Sequence, residues 1–201
     1  QISSKLLSAK LVLSLAILIT GVLGINTAVS QVFVMAKDQK ALAPVIVPHS
    51  ASVRVRQAAK NLADHLGKIG DTAFEIATGD GTSGIAVGIF SDFPHLAAGK
   101  DVQSTTIAQR ERYRLRSHTK GLYVIGATEI AVENAVWDLL HRLGYRQFFP
   151  GPTWEIIPKI KTIEIDIDAE EQPDYLSRQI WYAWGTQIVR SEEQTSELQS
   201  P

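Results

Sequence analysis

Apolar and polar positions along this chain follow two different periods, and the places where the period changes mark the elements. Residues 44–47, Pro-Val-Ile-Val, form a short apolar run between prolines, the pattern of a buried strand. Val55, Ala58, Ala59, Leu62, Leu66 and Ile69 then recur at helical spacing, with Arg56, Lys60 and Asp64 on the opposite side. Ser50 or Ser52 suits the start of that helix, and Gly70 its end. Residues 74–77 and 85–89 read as two further strands. Tyr113 and Leu115, with residues 122–125, read as a pair joined at 118–121. Residues 91–106 read as loop. A second helix begins at Thr128 and aligns Val132, Val136, Leu139, Leu140 and Leu143, and Gly144 fits the left-handed position past its end. Residues 145–149 return as a strand. Ile163, Ile165 and Ile167 alternate with Glu164, Asp166 and Asp168, as in a strand half exposed to water. This order predicts an α/β sandwich, a mixed β-sheet packed by two main helices.

The first thirty positions carry a different signal. Lys5 and Lys10 precede an apolar run over residues 11–23, and Ala28-Val29-Ser30 supplies small residues at signal-peptidase spacing. The run is shorter than a bilayer span requires. The reading is a signal peptide over residues 1–30, export to the periplasm or the extracellular space, and no membrane span after cleavage. The chain has no cysteine, so disulfides cannot stabilise it and a packed core must. Its 20 basic and 21 acidic residues are interspersed and leave a formal charge of −1, which disfavours nucleic acid and anionic membrane as partners. Residues 31–168 make one domain, residues 169–189 a linker and the start of a further unit, and residues 190–201 a polar tail.

Three patterns invite a chemical reading. Gly79-Asp80-Gly81-Thr82-Ser83-Gly84 matches the dinucleotide fingerprint, but a β-rich run follows it where the phosphate-binding helix should begin, so a hairpin or loop is expected. The five histidines, His49, His65, His95, His118 and His141, are far apart and share no metal-ligand spacing. The row Glu164, Asp166, Asp168 reads as a solvated strand face. With no Gly-x-Ser-x-Gly elbow and no thiol, the chain offers no recognisable nucleophile. No catalytic residue, cofactor or metal is expected.

Residues 113–151 carry a resemblance. Ile125-Gly126 at a strand end, Trp137 on a helix, Leu143-Gly144-Tyr145-Arg146 and the aromatic turn Phe149-Pro150-Gly151 together resemble the N-terminal domain preceding the catalytic barrel in bacterial α-glucuronidases, β-hexosaminidases and related glycosidase-like proteins. The resemblance covers roughly residues 43–182. It implies a non-catalytic accessory domain of an exported glycoside hydrolase-like protein, with its own C-terminal (β/α)8 barrel as partner and a glycan as the parent protein's substrate. Pro173, Tyr175 and Arg178 match the hexosaminidase entry into that barrel, which implies a sugar-contacting role for Arg178. Ala183 stands where those enzymes carry an acid, which weakens the hexosaminidase assignment. On this reading Trp181 opens the first barrel strand. Residues 190–201 resemble a translated sequencing adapter, the alternative being a disordered tail.

The aromatic cluster Tyr145, Phe148, Phe149 and Trp154 admits two uses. Aromatic rings stack on sugars, which would make the chain a free-standing carbohydrate-binding module. They also fill cores and domain interfaces. The interface is preferred for Phe148, Phe149 and Trp154, because an accessory domain buries a face against its barrel. A dinucleotide-binding enzyme is the third and weakest reading.

Overall fold

The computed structural model describes residues 31–93 and 106–174. In chain order these form β1 (Phe33–Lys37), β2 (Lys40–Ala41), β3 (Val45–Val47), α1 (Val53–Gly70), β4 (Ile76–Thr78), β5 (Gly84–Ile89), β6 (Tyr113–His118) and β7 (Gly121–Gly126). α2 (Glu129–Arg142), β8 (Arg146–Gln147), β9 (Glu155–Ile156), β10 (Thr162–Ile165) and β11 (Asp168–Glu171) follow. The main sheet has the order β11-β6-β7-β5-β3-β4. β4, β3, β5 and β7 run parallel, β6 is antiparallel to β7, and β11 is antiparallel to β6. The fold is therefore α/β with a mixed sheet and two main helices, as the periodicity predicts.

Both helices cover one face of this sheet. The apolar stripe of α1 packs on β3, β4 and β5, α2 packs on β5, β6 and β7, and the helices also pack on each other. Leu62, Leu66, Ile69, Leu139 and Leu140 meet Ile85, Leu115 and Leu122 there, all fully buried. Burying side chains of this size contributes about 1.5–3 kcal/mol each. Each helix begins at a hydroxyl cap: Ser52 Oγ accepts from Val55 N–H at 3.2 Å, and Thr128 Oγ1 from Ala131 N–H at 3.4 Å. Arg54 bridges the helices with two 2.7 Å bonds to Glu133. A smaller apolar cluster, Ala86, Ile125, Phe90 and Phe93, occupies the other face.

Four features differ from the periodicity. Gly70 does not stop α1; it is the last helical residue, and Asp71 takes the left-handed position with φ 51°. A Cβ at Gly70 would lie 2.8 Å from Ile163 Cδ1, so the glycine serves close packing against β10. Next, β1, which the periodicity does not mark as a strand, centres a small sheet of order β10-β1-β2. The expected strand over Ile163, Ile165 and Ile167 divides between the two sheets. At the division Ser117, 1% exposed, holds Ile167: its N–H donates to Ile167 O at 2.8 Å and its hydroxyl accepts from Ile167 N–H at 2.9 Å. Finally, of the hairpin or loop expected at the glycine-rich segment, the structure has the loop, and it joins parallel rather than antiparallel strands. β4 and β5 lie parallel on either side of β3, and the connecting chain crosses Ile46, whose side chain lies 3.2 Å and 3.0 Å from the Cβ positions Gly79 and Gly84 leave empty.

Candidate functional site

The surface feature with the clearest chemistry is the ribbon of β8 and β9. Its register pairs Arg146 with Ile156 and Gln147 with Glu155. Gly144, at φ 95°, turns the chain out of α2 as expected. Of the residues expected as a strand over 145–149, only 146 and 147 pair, because the chain then bends into a tip. Phe148 N–H donates to Trp154 O and Trp154 N–H to Gly151 O, both at 3.1 Å, and Gly151 stands at φ 112°.

The aromatic cluster splits at this ribbon. Tyr145 is core, 1% exposed, set edge-on to His65 at 4.9 Å and 5.9 Å from the Trp137 ring. Its phenol donates to Glu155 Oε1 at 3.0 Å, tying the ribbon's two strands at the base. Arg146 adds two 2.6 Å bonds to the carbonyls of His141 and Tyr145. The tip has the opposite character: Phe148, Phe149, Trp154 and Ile156 are 63, 61, 50 and 53% exposed. Phe149 and Trp154 meet edge to face at 5.2 Å. Residues 148–154 contain no titratable side chain. The tip thus presents an exposed apolar surface with no side chain that could transfer a proton. Ile156, exposed on β9 opposite Arg146, carries no signal in the sequence, since a lone isoleucine beyond a Trp marks nothing by itself.

Burial and the bond to Glu155 push the Tyr145 phenol up to about 12 from its usual 10.0. Tyr113 shifts the same way, through burial and its bond to Asp138. A raised pKa in the folded state means a contribution complete below pH 10 and lost as pH rises through the folded value. Stability is therefore expected to fall between pH 10 and about 12. Tyr145→Phe is expected to reduce that slope, measured as urea midpoints across the interval; an unchanged slope would remove Tyr145 from the account.

Of the other described sequence candidates, His65 and His141 meet the base of the ribbon through Tyr145 and Arg146. Arg178 and Trp181 lie outside the described residues. In the glycine-rich segment Asp80 Oδ1 accepts from Thr82 N–H at 3.1 Å and from its hydroxyl at 2.8 Å, and the chain then enters β5 rather than a helix. The acids of the last strands face arginines across β6: Asp168 lies 3.2 Å from Arg114 and 3.7 Å from Arg116, and Glu170 lies 3.7 Å from Arg112. His118 ends β6 rather than lying in a turn; it packs on Tyr123 at 4.4 Å, and burial together with Arg116 and Lys120 lowers its pKa. Among the described residues no group of three His, Asp or Glu is placed to hold a metal, and no helix is long and apolar enough to cross a membrane.

These elements make an α/β domain with a mixed sheet and two main helices, a fold found within solved glycoside hydrolases. Among solved structures the chain is similar to a family GH115 4-O-methyl-α-glucuronidase with specificity for decorated arabinogalactans: TM-score 0.50, 21% identity, 70% of this chain and 18% of that one. It also matches a family GH138 enzyme targeting pectin rhamnogalacturonan II (TM-score 0.37, 19% identity, 50% of this chain and 10% of that one). A third match is the N-acetyl-β-hexosaminidase of Streptomyces plicatus (TM-score 0.35, 19% identity, 68% and 25%). The chain thus spans a quarter or less of each of these proteins. At such identities the likeness concerns the fold, and only the first of the three carries weight. No protein-family model and no curated protein matches the chain.

Proposed function

We propose that this chain is the non-catalytic N-terminal domain of an exported glycoside hydrolase-like protein acting on polysaccharide or glycan substrates. The sugar chemistry would belong to a C-terminal barrel of the same polypeptide, and Arg178 would contact the sugar there. The observation that carries this reading is the fold shared over 70% of the chain with a segment equal to 18% of an α-glucuronidase. Export rests on the pattern of residues 1–30. The apolar tip of Phe148, Phe149 and Trp154 is the surface this reading assigns to the barrel, because a domain interface must bury apolar area and these three large side chains stand exposed at the tip.

The chain by itself is expected to release nothing from aryl glycosides. Retaining and inverting hydrolysis both normally use two carboxyl groups flanking the scissile bond, and barrel enzymes supply them from barrel loops. Turnover by the pure chain would overturn the reading, as would a parent gene that encodes no barrel after residue 189. One observation favours a second reading, a free-standing carbohydrate-binding module: the exposed rings of the tip could stack on sugar. Titration with uronic-acid and N-acetylhexosamine oligosaccharides, monitored by tryptophan fluorescence, separates the two. Saturable binding lost in Trp154→Ala would favour the module.

A further inference from the structure

Away from the ribbon, several departures from what stability alone would choose meet at one place. A surface cleft of 650 Å³ opens between the β1–β2 turn, the end of α1 and the segment entering β10. This size suits a small ligand. Buried Ile69 and half-buried Ile160 form its floor, and Asp38, Gln39, Asp71 and Lys161 its rim.

Asp38 and Gln39 are the two central residues of the turn, with φ 48° and 61°. Two-residue hairpin turns of this kind favour Asn-Gly, and a side chain as long as glutamine is disfavoured there. Asp71, φ 51°, stands where a helix end usually has glycine. These three are the non-glycine residues with positive φ among the described residues, and all three line the same cleft. Lys37 and Lys40 are direct cross-strand partners behind the turn, a like-charge pair that weakens a hairpin. Gln39 Nε2 donates to Asp71 Oδ2 at 3.0 Å, so two of the left-handed residues are joined across the opening. Local rules broken together at a concave site are the mark of side chains kept for a ligand.

The chemistry of the rim identifies the ligand class. Asp38 and Asp71 offer carboxylate oxygens to hydroxyls, and Gln39 offers both an acceptor and a second amide N–H. The Lys161 ammonium can take a carboxylate, and the isoleucine floor an apolar C–H face. Over residues 37–40, 69–71 and 159–161 four lysines stand against two aspartates, an excess of positive charge in a chain of net −1. We propose that this cleft binds one sugar-acid unit, a carboxylated pyranose, with its carboxylate toward Lys161 and its hydroxyls on Asp38, Gln39 and Asp71. The choice of a sugar among hydroxylated anions rests on the glycan-directed reading above.

Titration of the ¹⁵N-labelled chain with glucuronate and galacturonate, with glucose and acetate as controls, tests this by amide NMR. Saturable shifts are expected at residues 38–39, 69–71 and 159–161 with the sugar acids only. Gln39→Gly is expected to raise the thermal midpoint, because glycine adopts a positive φ without strain, yet to weaken sugar-acid binding about fivefold, the scale of one hydrogen bond between uncharged groups. Lys161→Ala should weaken it similarly and leave the midpoint unchanged. Absence of saturable shifts at the cleft, an equal response to acetate, or unchanged affinity in Gln39→Gly would overturn the proposal. None of those failures touches the aryl-glycoside or parent-gene tests. Conversely, a parent gene without a barrel would remove the accessory-domain reading and leave a binding cleft standing.

Discussion

Tyr145→Ala is expected to destabilise the chain by about 3–5 kcal/mol, the cost of truncating a large buried aromatic. Tyr145 is 1% exposed and packs against His65 and Trp137, so the vacated space lies between α1 and α2, where neither helix can collapse into it without breaking the contact between them. The substitution also removes the bond that ties Glu155, and with it β9, to the base of the ribbon. Urea unfolding should show a lower midpoint with an unchanged slope. Tyr145→Phe should cost much less, about 1 kcal/mol, because it keeps the ring and loses one hydrogen bond. A Tyr145→Ala variant within about 1 kcal/mol of the parent would show that the ribbon, rather than the core, sets this residue's surroundings.

Trp154→Ala is expected to behave in the opposite way. In this chain the ring is half exposed and touches Phe149 edge to face, so its removal should cost about 1 kcal/mol. In the longer protein proposed above the same ring would be buried against the barrel, and the cost should rise to about 3–5 kcal/mol. Comparing unfolding midpoints of parent and variant in both lengths decides the matter. Equal costs in the two would reject docking at the tip. The exposed patch also predicts that the chain self-associates, and that Phe148→Ser with Phe149→Ser reduces the association, measured by sedimentation.

The two residues stand nine positions apart in one aromatic-rich stretch, and composition alone cannot tell them apart. Tyr145 follows directly on a glycine that ends α2, so its side chain returns under the helix pair; Trp154 lies beyond a Pro-Gly turn that carries the chain away from it. The helical stripes were legible because each helix buries one face, and that demand writes a 3.6-residue period into any sequence that meets it. The paired strands β6 and β7 were legible for the same reason and because the turn between them is short. The cleft was not legible, since its walls come from three segments separated by some thirty to ninety positions, and nothing local marks residues 38, 71 and 161 as neighbours.

By itself, then, the sequence determined the α/β class, the two helices with their core faces, and the absence of a helix after the glycine-rich segment; each follows from local spacing and turn chemistry. Tertiary structure decided what depends on partners far along the chain. β1 is a strand because β10, some 130 residues later, supplies its hydrogen bonds, and Ile163 and Ile167 part company because Ser117 captures the backbone between the two sheets. Gly70 remains in α1, packed closely on Ile163 of β10, and the left-handed turn falls to Asp71. A strand needs a neighbour to satisfy its N–H and C=O groups, and a close contact needs a second surface, so both are properties of the folded chain and neither can be read from the residues one segment at a time.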